Sequence, residues 1–257
     1  MDTVLKYFFV ALVGMGMYLS IVSYSNENKY LFNDKKLEKY YLKHKGNTLS
    51  STSVGTVSNG SIKNAKLLPF SGSNYRYFDK WSYLKGRAFL NGSVLKSVLN
   101  SYNKLHKSTP GRKFVVMECS HKEGGKLWPH RTHQNGLSVD FMMPLKKNSK
   151  PYYGLDSKGI KHYLLEFNDE GKYIKDKTIR VDFNLVARHI LDLDASARKQ
   201  GYKVKKVIIK IEFKDDLYAT RYGKRLKQKG IYLVMGLTPK INALHDDHYH
   251  IDFSKLK

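Results

Sequence analysis

The chain has 257 residues, 41% of them apolar, with 46 Lys+Arg against 22 Asp+Glu and a formal net charge of +24. That length fits one large domain, or one domain with extensions, with enough apolar side chains for a core. The charge suits an anionic partner (nucleic acid, membrane or a carboxylate-rich wall polymer) or a solvated lysine-rich surface; the basic residues are spread and no RNA-binding or zinc-finger pattern accompanies them, so no nucleic-acid partner is expected.

Residues 1–25 open with one lysine in MDTVLK, followed by the uncharged run YFFVALVGMGMYLSIV. Sixteen residues are short for a spanning helix and suit the apolar centre of a secretory signal; the alternative is an uncleaved membrane tether through residues 4–22. The segment has no cysteine, which excludes a lipid-attachment site. Either way the body of the protein is expected to be exported, to the periplasm or cell envelope. Residues 26–51 are polar, a linker containing KKLEKYYLKHKGN, which reads as a short charged helix or a tether. SSTSVGTVSNGS (50–61) reads as a loop by composition. The globular domain is expected over 52–257.

SVLKSVLNSYNKL (93–105) places Val94, Leu95, Val98, Leu99, Tyr102 and Leu105 at helical spacing, with Ser93 as the cap. FVVMEC (114–119) reads as a buried strand. Its Cys119, the only cysteine, is a structural thiol, so no intrachain disulfide forms. WPHRTHQNGLSVDFMMP (128–144) carries His130, His133 and Asp140, and Gly136 lets the chain turn back between the last two. Residues 181–201 read as an amphipathic helix, with Asp182 near its start and Gly201 closing it. VKKVIIKIEF (204–213) and GIYLVMG (230–236) read as strands.

The chain closes with HDDHYHIDF (245–253). In an extended strand His248, His250 and Asp252 share one face, and Tyr249, Ile251 and Phe253 share the other. His-x-His aims two imidazoles at one point, a pattern suited to zinc, copper, iron or nickel. The 128–144 and 245–253 segments together hold five of the ten histidines, which points to one shared site. Asp246 and Asp247 are either carboxylates that orient ligand imidazoles or turn residues, and Asp252 competes for the first role. Trp128 and Tyr249 suit either a substrate groove or packing. His189 reads as a packed helix histidine, His121 as a loop residue or one at the edge of the cleft, and His44, His106 and His162 have no context. The fold class is α+β, with a central antiparallel sheet carrying the site and helices flanking it.

HRTHQNGLSVD together with HDDHYHIDF resembles the LAS metallopeptidases, and within them the penicillin-insensitive murein endopeptidases, whose pattern is H-x6-D followed downstream by H-x-H. SVGTVSNGSIKNAKLLPFSGSNY (53–75) is similar to that family's opening segment, so the resemblance covers about residues 52–257. Thr132 stands where the family has serine, and the disulfide-forming cysteines are missing. The resemblance implies that His133, Asp140 and His250 hold Zn2+ and that His248 is catalytic. His130 and His245 match further motif histidines that line the site or support a second metal. It implies a zinc metalloendopeptidase acting on peptidoglycan stem peptides, at a D-Ala-to-diamino-acid cross-link, with no obligate protein partner. The alternatives are a D,D-carboxypeptidase on the same scaffold and a non-catalytic zinc-containing wall-binding module.

Overall fold

The computed structural model describes residues 34–256, so the 1–25 segment lies outside the described residues. In chain order, helix α1 spans Lys35–His44, then come strands β1 (Thr52–Thr56), β2 (Asn59–Lys63), β3 (Lys66–Leu67) and β4 (Tyr75–Tyr77). Helix α2 (Lys80–Leu84), β5 (Phe89–Leu90), α3 (Gly92–Ser108), β6 (Phe114–Val116), β7 (Ser138–Met142), β8 (Leu145–Lys147) and β9 (Lys150–Tyr152) follow. A 3-10 segment, Asp156–Leu164, leads to β10 (Lys172–Tyr173), β11 (Asp176–Val181), α4 (Phe183–Arg198) and β12 (Tyr202–Ile208). The chain ends with α5 (Phe213–Ala219), α6 (Arg221–Gln228), α7 (Pro239–Ala243) and β13 (His248–Lys255).

The fold is mixed α+β. Five strands form one sheet in the order β12-β13-β7-β6-β4. Three of its pairings are antiparallel, and β4 joins β6 in parallel, so the sheet is not wholly antiparallel. Side chains alternate across β7 and β13. On one face Phe141 stacks on Tyr249, at 5.4 Å between ring centroids, and both meet His189 of α4. Helix α4 buries Val186, Ala187, Ile190 and Leu193, and packs on α3 and β12. Burying each large side chain on this face, such as Phe141, Ile251 or Phe253, contributes roughly 1.5–3 kcal/mol. The opposite face of the same two strands carries Asp140, His248, His250 and Asp252. A second sheet, β10-β11-β8-β9, is antiparallel throughout.

Several local expectations change. Residues 50–61 are not a loop: β1 and β2 pair as a hairpin turning at Val57–Ser58. Composition hides this because the supporting bonds come from far along the chain, Gln134 N–H donating to the Val57 carbonyl and Gly125 N–H to that of Gly60. Asn91, not Ser93, caps α3, its side chain accepting from the Ser93 N–H. The 204–213 apolar run stops being strand at Ile208, and Phe213 already opens α5. Residues 230–236 form no strand beyond a single bridge, Val207 with Leu233, because Tyr232 and Met235 face solvent. Within 26–51, residues 35–44 form a charged helix that is docked, with Leu37 buried, Tyr40 against Tyr83, and Asp34 paired to Lys80. Among the described residues no helix is long and apolar enough to cross a membrane.

Candidate metal centre

Register decides what meets across the sheet. β13 pairs with β7 so that His250 lies directly opposite Asp140 and His248 opposite Met142. His133 enters from the loop before β7. Its backbone is in the left-handed region at φ 69°, uncommon for a residue other than glycine, and such outliers gather at functional sites. Gly136, at φ 73°, makes the return turn; a Cβ there would come within 2.8 Å of the Asn91 backbone nitrogen. Only glycine fits this turn.

Three acceptor atoms converge in the buried interior of the site. His133 gives its Nδ1–H to the Cys119 carbonyl at 2.5 Å, which leaves Nε2 as a lone pair. His250 Nε2 lies 2.7 Å from Asp252 Oδ1, so that N–H is spent on a carboxylate and Nδ1 faces inward. His250 Nδ1 is 3.1 Å from His133 Nε2 and 2.8 Å from Asp140 Oδ1. Asp140 Oδ2 lies 3.3 Å from His133 Nε2, is buried, and has no hydrogen-bond partner among the described residues. Three lone-pair centres at such range need a positive charge among them, either a proton or a metal ion. Burial disfavours a charged His250, yet Asp252 and Asp140 outweigh it and push its pKa up to about 9. Burial likewise opposes ionisation of Asp140, and His133 and His250 reverse that and hold it well below the carboxylate range.

His130, His133 and Asp140 form a group that could hold a metal ion, with ligand atoms all within 4.8 Å of one another, and His250 Nδ1 adjoins it. His130 is half-buried, its Nδ1 3.6 Å from Asp140 Oδ2, and burial pushes its pKa down to about 3, so it stands neutral. The donor set therefore fits a divalent transition metal.

The histidines next to this group are also held. His248 Nδ1 lies 2.5 Å from Asp247 Oδ1, which fixes the ring and leaves Nε2 without a hydrogen bond among the described residues. Burial opposes its charged form, and Asp247 outweighs this and raises its pKa. His245 packs 5.0 Å from His248 and binds the Ile241 carbonyl through Nδ1; burial lowers its pKa to about 3. The aspartates divide the roles left open by the sequence. Asp252 orients His250 and is braced by Ser138 and Lys206. Asp247 orients His248, and Asp246 accepts from the Phe167 N–H and so anchors a loop. Tyr249 is core, not groove, and Trp128 is 85% exposed. His189 is packed, and His121 binds the Gly86 carbonyl.

Three participants escaped the sequence. His162 is buried and its Nε2 lies 3.2 Å from the Asp247 carbonyl. Tyr163 stands edge-on to His248 at 5.4 Å and near His130 at 6.5 Å, its hydroxyl buried without a hydrogen-bond partner among the described residues. Glu118 pairs with Arg87, whose Nη1 holds the Trp128 carbonyl beside His130. The 3-10 segment that brings His162 and Tyr163 carries no periodic pattern, so no local signal marked them.

No curated protein matches the chain closely enough to count as a relative. The family model for penicillin-insensitive murein endopeptidases does match, over residues 53–254. That span runs from the first hairpin, through His133 and Asp140, to the strand bearing His250. With most of its length matched in this way, the chain belongs to the penicillin-insensitive murein endopeptidase family.

Proposed function

We propose that the chain is a zinc-dependent peptidase of the cell envelope that hydrolyses an amide in peptidoglycan peptides, at a D-Ala-to-diamino-acid cross-link. Family membership supports the substrate class. The observation that carries the metal is the convergence of His133 Nε2, His250 Nδ1 and an orphaned Asp140 oxygen. Those three residues would hold zinc, leaving a fourth position open as catalytic sites require. When bound, zinc supplies Lewis acidity, lowering the pKa of water and polarising a carbonyl. His248 accepts a proton at Nε2 and later returns it to the leaving amine, while Asp247 keeps Nδ1 protonated and stabilises the charged ring. The Tyr163 ring stands beside His248, and its buried, unpartnered hydroxyl would donate to the substrate carbonyl. Asp252 and the Cys119 carbonyl fix the two ligand imidazoles in the required tautomers. Export through the 1–25 segment completes this reading.

The test is digestion of purified peptidoglycan with fragments identified by mass. Cross-linked dimers should become monomers, stop doing so with chelator, and resume with zinc. Release of terminal D-Ala without loss of dimers would replace this reading by the D,D-carboxypeptidase. One observation favours the non-catalytic module: His130 lies within ligand range of the same group, and four protein ligands make a closed structural site. Full zinc content with no fragment released would establish that second reading.

A further inference from the structure

The face of α4 turned away from the five-stranded sheet carries a groove that the metal site does not use. Two adjoining hollows, of about 580 and about 470 Å³, share Arg188 and Tyr222. The first also contains Arg112 and Tyr153, the second Arg225 and Lys229. Basic residues scattered in the sequence meet here. Arg188, Arg221 and Arg225 all stand around the single ring of Tyr222, at 5.1, 5.7 and 5.6 Å. Arg112 stacks on Tyr153 at 5.5 Å. It is only 5% exposed; its Nη2 donates to the Leu145 carbonyl, and its Nε has no hydrogen-bond partner among the described residues.

The acidic residues here do not balance these cations. Asp182 spends an oxygen capping α4 through the Leu185 N–H. Asp192 reaches Arg188 only at 3.9 Å, and burial raises its pKa. Lys229 leans to Asp194 at 3.7 Å, but that carboxylate already pairs with Arg198 at 2.7 Å. Guanidinium groups held on an aromatic face, as Arg188 and Arg225 are on Tyr222, can still offer their N–H forks, and such forks match carboxylates two bonds at a time.

We infer that this groove is a second substrate-binding site, which takes free carboxylates of peptidoglycan stem peptides other than the stem being cut. The inference rests on the murein reading proposed above. Family membership makes the polymer the available polyanion, and the groove has the charge and the planar donors to hold it. A polymer held at two places raises the local concentration of its cross-links at the metal site. Soluble fragments that engage one site at a time gain nothing from the groove.

The experiment compares the zinc-loaded full chain with its Arg188→Ala/Arg225→Ala variant. Binding is read by co-sedimentation with purified sacculi stripped of phosphodiester polymers, and turnover on a soluble cross-linked dimer. The expected result is about tenfold weaker sedimentation with unchanged turnover on the dimer. The Arg188→Lys/Arg225→Lys variant, which keeps charge and loses the forks, should fall between, and amidating the sacculus carboxylates should abolish the difference. Lys175→Ala/Lys177→Ala removes equal charge elsewhere and should sediment as wild type. Undiminished sedimentation of the arginine variant, or an equal loss in the lysine control, overturns the inference. Wild-type binding only to sacculi that retain phosphodiester polymers also overturns it. The catalytically impaired His248→Ala chain reads the groove by sedimentation alone, so a failure of the peptidase reading remains distinguishable from a failure of the groove.

Discussion

At the scale of single residues, the site gathers His133 Nε2, His250 Nδ1 and the Asp140 carboxylate around one point, with the far nitrogens of the two rings held by the Cys119 carbonyl and Asp252. His133→Ala, Asp140→Ala and His250→Ala should each lose bound zinc, measured as metal per chain after dialysis; full retention in all three would sink the ligand assignment. His248→Ala should keep zinc, because its Nδ1 is spent on Asp247 and three ligands remain, while turnover falls about 10²-fold or more. Tyr163→Phe removes one unpartnered hydroxyl and keeps the ring against His248. It should lower kcat by roughly 10²-fold with KM and zinc content unchanged, the scale of an oxyanion donor; a change in KM alone would assign the hydroxyl to ground-state binding. That His133, Asp140 and His250 would meet was legible in the sequence, because H-x6-D and H-x-H carry dense chemical information in few residues. Tyr163 and His162 were not, because a non-repeating segment delivers them and only the folded chain sets their distance to His248.

At the scale of elements, α4 supports the sheet from behind the site through His189. The Ser101 hydroxyl donates to the Val98 carbonyl, so it accepts from His189 Nε2–H, and His189 Nδ1 accepts from the Tyr249 hydroxyl. This neutral ring is sealed, and burial lowers its pKa to about 3. The unfolded chain, with an ordinary histidine near 6.5, binds the proton first as pH falls. Stability is therefore intact above about pH 6.5 and lost progressively towards pH 3, by about 2 kcal/mol at pH 5. His189→Gln should flatten the acid limb of a Tm-against-pH curve; an unchanged slope would place the acid sensitivity elsewhere. The long periodic helices α3 and α4 and the alternating β13 could be read directly. The hairpin β1–β2 and the end of β12 could not, since partners distant in sequence decide them, and a short apolar run suits strand or helix alike.

At the scale of the whole molecule, the proposed zinc would join parts of the chain far apart in sequence: Asp140 and His250 are separated by 110 residues. An ion bound only by the folded state adds stability by mass action, about 2.7 kcal/mol at a free concentration 100 times its Kd. Chelator should therefore lower Tm by roughly 5–10 °C for a domain of this size. Asp140→Ala should show no zinc-dependent shift, and equal zinc-induced shifts in both chains would place the ion elsewhere. The overall α+β class followed from the order of patterns along the chain. The clustering of arginines around Tyr222 did not, because α4 and α6 meet only in three dimensions.

The pairing of β13 with β7 has a consequence for how this chain can vary. Its side chains repeat every two residues, so slippage by one would carry His250 to the α4 side and bring Tyr249 out beneath the substrate. One alignment thus sets His248, His250 and Asp252 at once, and the tyrosine clasped from behind by His189 locks it. Exchange of individual amino acids along the strand perturbs one group at a time. Insertion of one residue between Tyr249 and His250 turns the part of the strand on one side of it inside out, so the spacing of this segment is more tightly constrained than its lettering.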